Sequence, residues 1–250
     1  MPAPEKFTCL AAGRRKLSYG MMYGLMNYYR LDVRLAENDV ACAAWGNLSG
    51  TGHPSSGVLA GKLLEEAHQL ARIEAVCRTI PVLKTTDRQV FLEGGRALTS
   101  SLLARLAGPA RDLLLVICTL GHAIDRRVEE YNRDGLPAHA YFLDVAGTCI
   151  IEAAGRQLVN LIKKQVQSAG LETTIPLGPG HSYWNNLLDQ RTIYDLLDPR
   201  ELGVTILSSG LMLPKKSLSM VVGIGRGLPP SKENHCHYCN IGHECPLSRA

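Results

Sequence analysis

A run of nine residues at positions 112–120 constrains the fold more than any other part of the chain. After Asp112 it reads Leu-Leu-Leu-Val-Ile-Cys-Thr-Leu, which is apolar at almost every position. The run has the length of a β-strand, and it lacks the alternation of a strand with one solvated face. We therefore predict a strand that is buried on both faces, with other elements packed above and below it.

Helical and strand-like segments alternate around this run without the regular spacing of β-α-β units. This order favours an α+β fold over a doubly wound parallel sheet. Apolar periodicity and the positions of glycine and proline predict helices at 58–73, 99–107, 121–132, 138–169 and 187–197, and strands at 74–83, 89–92, 112–120, 203–207 and 217–224. The longest of these helices contains Gly147 and Gly155, two positions where it could break.

The chain divides into three predicted parts. Residues 1–57 form an N-terminal extension and linker, residues 58–228 form the α+β domain, and residues 229–250 form a cysteine-rich tail. The N-terminus lacks a basic region followed by an apolar stretch, and no apolar run reaches the roughly 18 residues of a membrane helix. We therefore expect a cytoplasmic protein without a membrane span. The formal net charge of +4 is too small to indicate a nucleic-acid partner.

The tail carries a candidate metal site. Cys236, Cys239 and Cys245 are spaced C-x2-C-x5-C, and Pro246 follows the last of them directly. In an intracellular protein, cysteines at this density indicate metal binding rather than disulfides. A cluster of oxidisable thiols without metal is the alternative.

The identity of the metal stays open at this point. Three thiolates can hold a 4Fe–4S iron–sulfur cluster, and a proline directly after the last cysteine is typical of such sites. The fourth ligand would come from a partner protein or from a histidine of the tail: His235, His237 or His243. Alternatively, the three cysteines and His243 would give tetrahedral zinc.

Three stretches of the chain resemble the activation (reactivation) domain of cobalamin-dependent methionine synthase, and more closely its stand-alone relatives. The first comprises Thr-Leu-Gly-His-Ala-Ile-Asp-Arg-Arg at 119–127 and Leu-Asp-Val-Ala-Gly-Thr-Cys-Ile-Ile-Glu at 143–152. The second is Gly-Pro-Gly-His at 178–181, similar to the family's Pro-Gly-Tyr loop. The third is the run at 202–219, similar to the family's Gly…Leu-Thr-Glu-Ser…Met…Pro…Ser-Val-Ser sequence. The resemblance as a whole extends over roughly residues 58–225.

The resemblance implies an α+β fold with a mixed or antiparallel sheet and flanking helices, and a shallow groove that binds S-adenosylmethionine. It also implies that the chain helps to return an inactive cobalt(II) cobalamin to its methylated form. The cobalamin would be carried by a partner, a cobalamin-binding methyltransferase such as methionine synthase. The electron would come from a donor such as a flavodoxin or a ferredoxin. The chain would then be an activation partner rather than a self-sufficient enzyme.

The loop at 178–184 is the candidate cofactor-binding segment. Glycines allow a ligand to approach the backbone closely, and aromatic rings offer flat faces for stacking. The residues assigned to this role are Gly178, Pro179, Gly180, His181 and Tyr183. A tight structural turn is the alternative interpretation. Asp144 and Glu152 are further candidate polar contacts on the long helix, unless they are simply solvated.

Three departures from the family pattern lead to two alternative functions. Pro176 stands where full-length enzymes of the family place an arginine, His181 replaces the loop tyrosine, and Ser208 replaces the glutamate of Leu-Thr-Glu-Ser. Loss of the arginine and the glutamate removes two charged groups. This loss favours an iron–sulfur electron-transfer protein that reduces a corrinoid protein without S-adenosylmethionine. The other alternative is a zinc-stapled, non-enzymatic binding protein.

Overall fold

A computed structural model of the protein describes residues 25–36 and 54–245. Most of the predicted N-terminal extension and Pro246 therefore lie outside the described residues. The strands are β1 (Asn27–Arg30), β2 (Glu74–Pro81), β3 (Lys84–Thr85), β4 (Gln89–Phe91), β5 (Ala97–Thr99), β6 (Asp112–Thr119), β7 (Glu172–Thr173), β8 (Thr205–Ile206), β9 (Met212–Leu213) and β10 (Ser217–Gly225). The helices are α1 (Pro54–Leu70), α2 (Ser101–Ala107), α3 (Ala123–Arg133), α4 (Pro137–Ser168) and α5 (Asp189–Leu197).

The largest sheet has five strands in the order β1-β2-β6-β10-β7, and every pair in it is antiparallel. Strand β6 lies at its centre, where Val116 is paired with Cys77 of β2 and with Met220 of β10. All residues of β6 are buried, as its apolar run predicts. Strand β1 lies within the predicted N-terminal extension and forms one edge of the sheet.

The two faces of this sheet belong to two separate cores, because successive side chains of a strand point to opposite faces. Leu114, Val116 and Cys118 of β6 pack with α1, α3 and α4 on one face. Leu113, Leu115 and Ile117 pack with α2 and α5 on the other. The predicted α+β fold, with helices on both sides of a strand buried on both faces, is confirmed.

Helix α4 is continuous through both of the glycines at which a break could occur. A Cβ atom at Gly147 would lie 3.2 Å from the side chain of Lys216, and one at Gly155 would lie 3.1 Å from the side chain of Leu218. These glycines therefore allow the helix to pack closely on β10 rather than interrupting it. None of the helices in residues 25–36 and 54–245 is both long and apolar enough to cross a bilayer.

Candidate functional site

The Gly-Pro-Gly loop, residues 177–184, is fastened to the sheet beside β10. The backbone N–H of Leu177 donates to the carbonyl of Val221 at 3.0 Å, and that of Val221 donates back at 2.7 Å. At Gly178 a Cβ would lie 2.9 Å from the carbonyl oxygen of Ser219, so only glycine fits. Gly180 has φ +92°, a conformation that side chains strongly disfavour. Both glycines therefore meet backbone requirements of the loop itself.

A buried carboxylate supports the loop through hydrogen bonds. Asp189 Oδ2 accepts hydrogen bonds from the indole Nε1 of Trp184 at 2.8 Å and from the backbone N–H of Thr99 at 2.6 Å. Asp189 Oδ1 accepts from the side-chain amide of Asn186 at 2.9 Å. Burial raises the pKa of Asp189, and these hydrogen bonds to the ionised form oppose the shift. The Asp189 carboxylate of α5 thus links the loop to β5 through its hydrogen bonds.

Three half-buried rings lie together where the loop meets the tail. The rings of His181 and Tyr183 are stacked, with centroids 5.1 Å apart and an interplanar angle of 6°. His235 from the tail lies 5.0 Å from the ring of His181 and 6.1 Å from that of Tyr183, and it is tilted against them by 52° and 55°. The Tyr183 hydroxyl accepts a hydrogen bond from the Gly178 N–H at 3.4 Å, while burial raises the pKa of that hydroxyl. The rings thus form one aromatic cluster with polar edges.

Burial, together with the smaller effect of the nearby His235, lowers the pKa of His181 to about 4. Burial also lowers the pKa of His235; the Glu152 carboxylate opposes this shift and the Arg156 guanidinium adds to it. Both imidazoles are therefore held neutral at neutral pH. The groups around this pair come from the loop, the tail and α4.

Stability is expected to fall on acidification because of His181. The unfolded chain takes up a proton at this imidazole below about pH 6.5, whereas the folded chain does so only near pH 4. The stabilising effect of the neutral ring is thus present above pH 6.5 and is lost as the pH falls toward 4. Between pH 7 and 5 the free energy of unfolding should drop by about 2 kcal/mol from this residue alone.

Urea unfolding at the two pH values checks this prediction. The His181→Gln variant should lose about 2 kcal/mol less than the parent chain over the same interval. The His139→Gln variant is the control, because that imidazole packs against the Tyr131 ring at 5.2 Å on a different part of the chain. An equal pH dependence in the His181 variant and the parent would contradict the assignment.

The two candidate carboxylates of α4 differ in their surroundings. Asp144 Oδ1 forms an ion pair with the Nζ atom of Lys216 at 2.8 Å, and the same Nζ donates to Thr148 Oγ1 at 3.0 Å. Lys216 is buried, so Asp144 serves to balance its charge. Glu152 instead acts electrostatically on Tyr183 and His235. Of the two carboxylates, Glu152 is therefore the one whose charge acts on the rings of the loop and the tail.

The cysteine tail is folded into a short turn. Residues His235–Tyr238 form one turn of 3₁₀ helix, which Asn234 caps by accepting a hydrogen bond from the Cys236 N–H at 2.9 Å. The Cys239 N–H donates to the Cys236 carbonyl at 3.0 Å, and the Gly242 N–H donates to the Cys239 carbonyl at the same distance. A Cβ at Gly242 would lie 2.5 Å from the Cys236 carbonyl oxygen, so glycine is required there.

The tail cysteines are free thiols and do not converge on one point. Within residues 25–36 and 54–245, no three His, Cys, Asp or Glu side chains are placed so that they could hold one metal ion. Cys236, Cys239 and Cys245 are each half-buried, and the Nε2 of the exposed His243 lies 3.2 Å from Glu244 Oε1. The iron–sulfur or zinc site thus stays a prediction, and its side chains would have to move together to form it.

The loop and the tail are joined at Ser182. Its Oγ accepts a hydrogen bond from the Asn240 N–H at 2.8 Å and donates to the Cys239 sulfur at 3.5 Å. This hydroxyl bond lowers the pKa of the Cys239 thiol. The two candidate sites that the sequence places more than fifty residues apart are therefore neighbours. Ser182, Asp189 and the ring contacts of His235 were not predicted, since no spacing or motif marks them.

The fold has a close counterpart among solved structures. A crystal structure described as the MetH reactivation domain bound to AdoHcy superposes with a TM-score of 0.59, covering 89% of this chain and 83% of that chain. The sequences are 13% identical over the match. This chain is thus similar in fold to that domain. No protein-family model and no curated protein matches the sequence.

Proposed function

We propose that this protein assists the reductive reactivation and remethylation of a cobalamin-dependent methyltransferase such as methionine synthase, and that it binds S-adenosylmethionine at the Gly-Pro-Gly loop. The observation that carries the proposal is the presentation of this loop, with its stacked His181 and Tyr183 rings, on a fold similar to that of the MetH reactivation domain. The AdoHcy in that structure is the product left when S-adenosylmethionine gives up its methyl group.

The chemistry of the loop suits such a ligand. The adenine of S-adenosylmethionine is flat and aromatic, and it can stack on the His181–Tyr183 face. Its sulfonium carries a positive charge, which the nearby Glu152 carboxylate would attract. The reaction itself would take place on the partner's cobalamin. One electron would reduce the cobalt(II), and the methyl group would pass to the reduced cobalt as the sulfur–methyl bond breaks, which would leave S-adenosylhomocysteine.

The tail supplies the second half of the proposal. Cys236, Cys239 and Cys245 would bind a 4Fe–4S cluster or, with His243, zinc, because thiolate and imidazole are the ligands that these centres prefer. An iron–sulfur cluster would offer a one-electron carrier, whereas zinc would only fix the tail. An external donor such as a flavodoxin or a ferredoxin would supply the electron. We place this activity in the cytoplasm, where cysteines stay reduced.

A second candidate function is electron transfer to a corrinoid protein without S-adenosylmethionine. Two observations favour it: Pro176 stands where the family's arginine would be, and the tail thiols adjoin the loop through Ser182. Binding of S-adenosylmethionine or its product separates the two functions.

Titration calorimetry with S-adenosylhomocysteine tests the proposed site. We expect the full chain to bind it, and the Tyr183→Leu variant to bind at least about tenfold more weakly, because a stacking ring and its polar edge are lost. Tyr141→Leu is the matched control, since Tyr141 is an exposed tyrosine of α4. Absence of binding both to the parent chain and to a His235→Ala variant, which lacks the tail ring that packs on Tyr183, would overturn the S-adenosylmethionine part and favour the second candidate.

A further inference from the structure

The tail covers the part of the loop that a ligand would need. Three successive loop residues contact it: His181 and Tyr183 through the ring of His235, and Ser182 through Cys239 and Asn240. The ring contacts and the hydrogen bonds lie on neighbouring side chains, so they hold one short segment of the tail. We call residues 234–242 the strap.

The strap is a small folded unit with its own internal bonds. Its internal bonds are the Asn234 cap and the backbone bonds to Cys236 and Cys239, and the Tyr238 hydroxyl accepts from the Lys232 N–H just before the strap at 2.9 Å. The guanidinium of Arg105 lies 5.7 Å from the Tyr238 ring. Further back, the Leu228 N–H donates to Glu172 Oε2 at 3.0 Å, which fixes the start of the tail to β7. The strap can therefore leave the loop as a unit while the tail stays attached.

The contacts between the strap and the Gly-Pro-Gly loop are few and polar. They comprise one hydrogen bond from a backbone amide, one long bond to a sulfur, and the packing of one imidazole on two rings. Of the larger side chains of the strap, Ile241 is 58% exposed, whereas the half-buried Tyr238 packs against the core on the α2 side of the sheet. The polar contacts with the loop are individually weak and readily exchanged for contacts with water. Such contacts suit reversible opening of the strap from the loop.

We propose that the strap occupies the ring face of the Gly-Pro-Gly loop and must leave that face before a flat ligand can stack on His181 and Tyr183. The inference rests on the proposed function, since it takes the ligand to be S-adenosylmethionine or its product. Binding and strap closure then exclude each other, so a substitution on the strap side that weakens closure strengthens apparent ligand affinity. By reciprocity, ligand binding releases Cys239 and Asn240 from Ser182.

Hydrogen exchange measures closure of the strap without a ligand. In the Ser182→Ala variant the Asn240 amide loses its acceptor, and we expect it to exchange about two- to tenfold faster. Ser209→Ala is the matched control, because the Ser209 hydroxyl likewise accepts a backbone N–H, that of Leu211, in another loop. Unchanged exchange at Asn240 in the Ser182 variant would overturn the closed strap.

Ligand binding measures the competition. We expect His235→Ala to bind S-adenosylhomocysteine about three- to tenfold more tightly than the parent, because the ring face is no longer occupied. His139→Ala, which also removes an imidazole packed on a tyrosine ring, should leave the affinity unchanged. Added S-adenosylhomocysteine should also speed amide exchange in residues 235–240 of the parent chain.

The outcomes separate the strap from the proposed function. Equal affinity of the parent and the His235 variant, or slower exchange in the strap when the ligand is added, would overturn the strap and leave the ligand site standing. Binding to the His235 variant alone would support both. Binding to neither protein would overturn the S-adenosylmethionine site, and with it the strap as a gate to that site, even where exchange shows that the strap is closed.

Discussion

Replacing Asp189 with alanine is expected to lower the free energy of unfolding by about 3 kcal/mol, because the carboxylate is buried and satisfies several donors at once. The variant leaves the indole N–H of Trp184, the backbone N–H of Thr99 and the amide of Asn186 without this acceptor. Trp184 is 1% exposed, so water cannot easily replace the lost partner. Urea unfolding followed by circular dichroism measures the change.

Asp195 on the same helix provides the matched control. It forms an ion pair with Arg96 at 3.1 Å, in which both side chains are 39% exposed. Asp195→Ala should therefore cost at most about 1 kcal/mol, as is usual for a surface ion pair. We also expect Asp189→Ala, but not the control, to weaken binding of S-adenosylhomocysteine, since the loop turns at Trp184. Similar losses of stability in the two variants would show that Asp189 does not support the loop.

The sheet and the long helices could be predicted because local patterns determine them. The run at 112–120 is apolar at the positions that point to either face of the sheet. Only a central strand with both faces covered tolerates this pattern. The predicted helix at 138–169 matches α4 within one residue at each end. The possible break was the weaker part of that prediction, because a glycine in a helix marks either a weak point or a close contact. Gly147 and Gly155 both mark close contacts.

The arrangement of the site could not be predicted in the same way. The Gly-Pro-Gly loop and the cysteine spacing are local motifs, and both were found from the sequence. Their meeting at Ser182 depends on contacts between residues 57 and 58 positions apart, which leave no trace in the pattern of either motif. Asp189 was likewise missed, because an acidic residue in the first turn of a helix is ordinary on electrostatic grounds alone.

The Gly-Pro-Gly loop and the tail form one continuous part of the structure. The backbone path of the loop requires glycine at Gly178 and Gly180. The tail packs on the rings of His181 and Tyr183 through His235. The proposed ligand site is therefore shared by loop and tail, and the chemistry of each should depend on the other.

Replacing Cys239 with serine should decrease the reductive activation of a cobalt(II) methyltransferase at least about tenfold, because a hydroxyl is a far poorer metal ligand and electron-carrying group than a thiolate. The fold should remain intact. Cys239 is half-buried in the strap, and the structure gives its sulfur a hydrogen bond from the Ser182 hydroxyl that a serine at 239 could replace. The free energy of unfolding should thus change by less than about 1 kcal/mol.

Metal and sulfide analysis decides what such a loss would mean. Iron, acid-labile sulfide and zinc are determined on parent and variant purified without oxygen, and Cys149→Ala serves as the control, since Cys149 is a buried cysteine of α4. Stoichiometric iron and sulfide in the parent and the control, but not in the Cys239 variant, would make the tail a redox centre. Zinc without sulfide would make the tail a structural zinc site. The function would then depend on the loop alone. Undiminished electron delivery by the variant would show that Cys239, the tail thiol that is hydrogen-bonded to the loop, takes no part in reactivation.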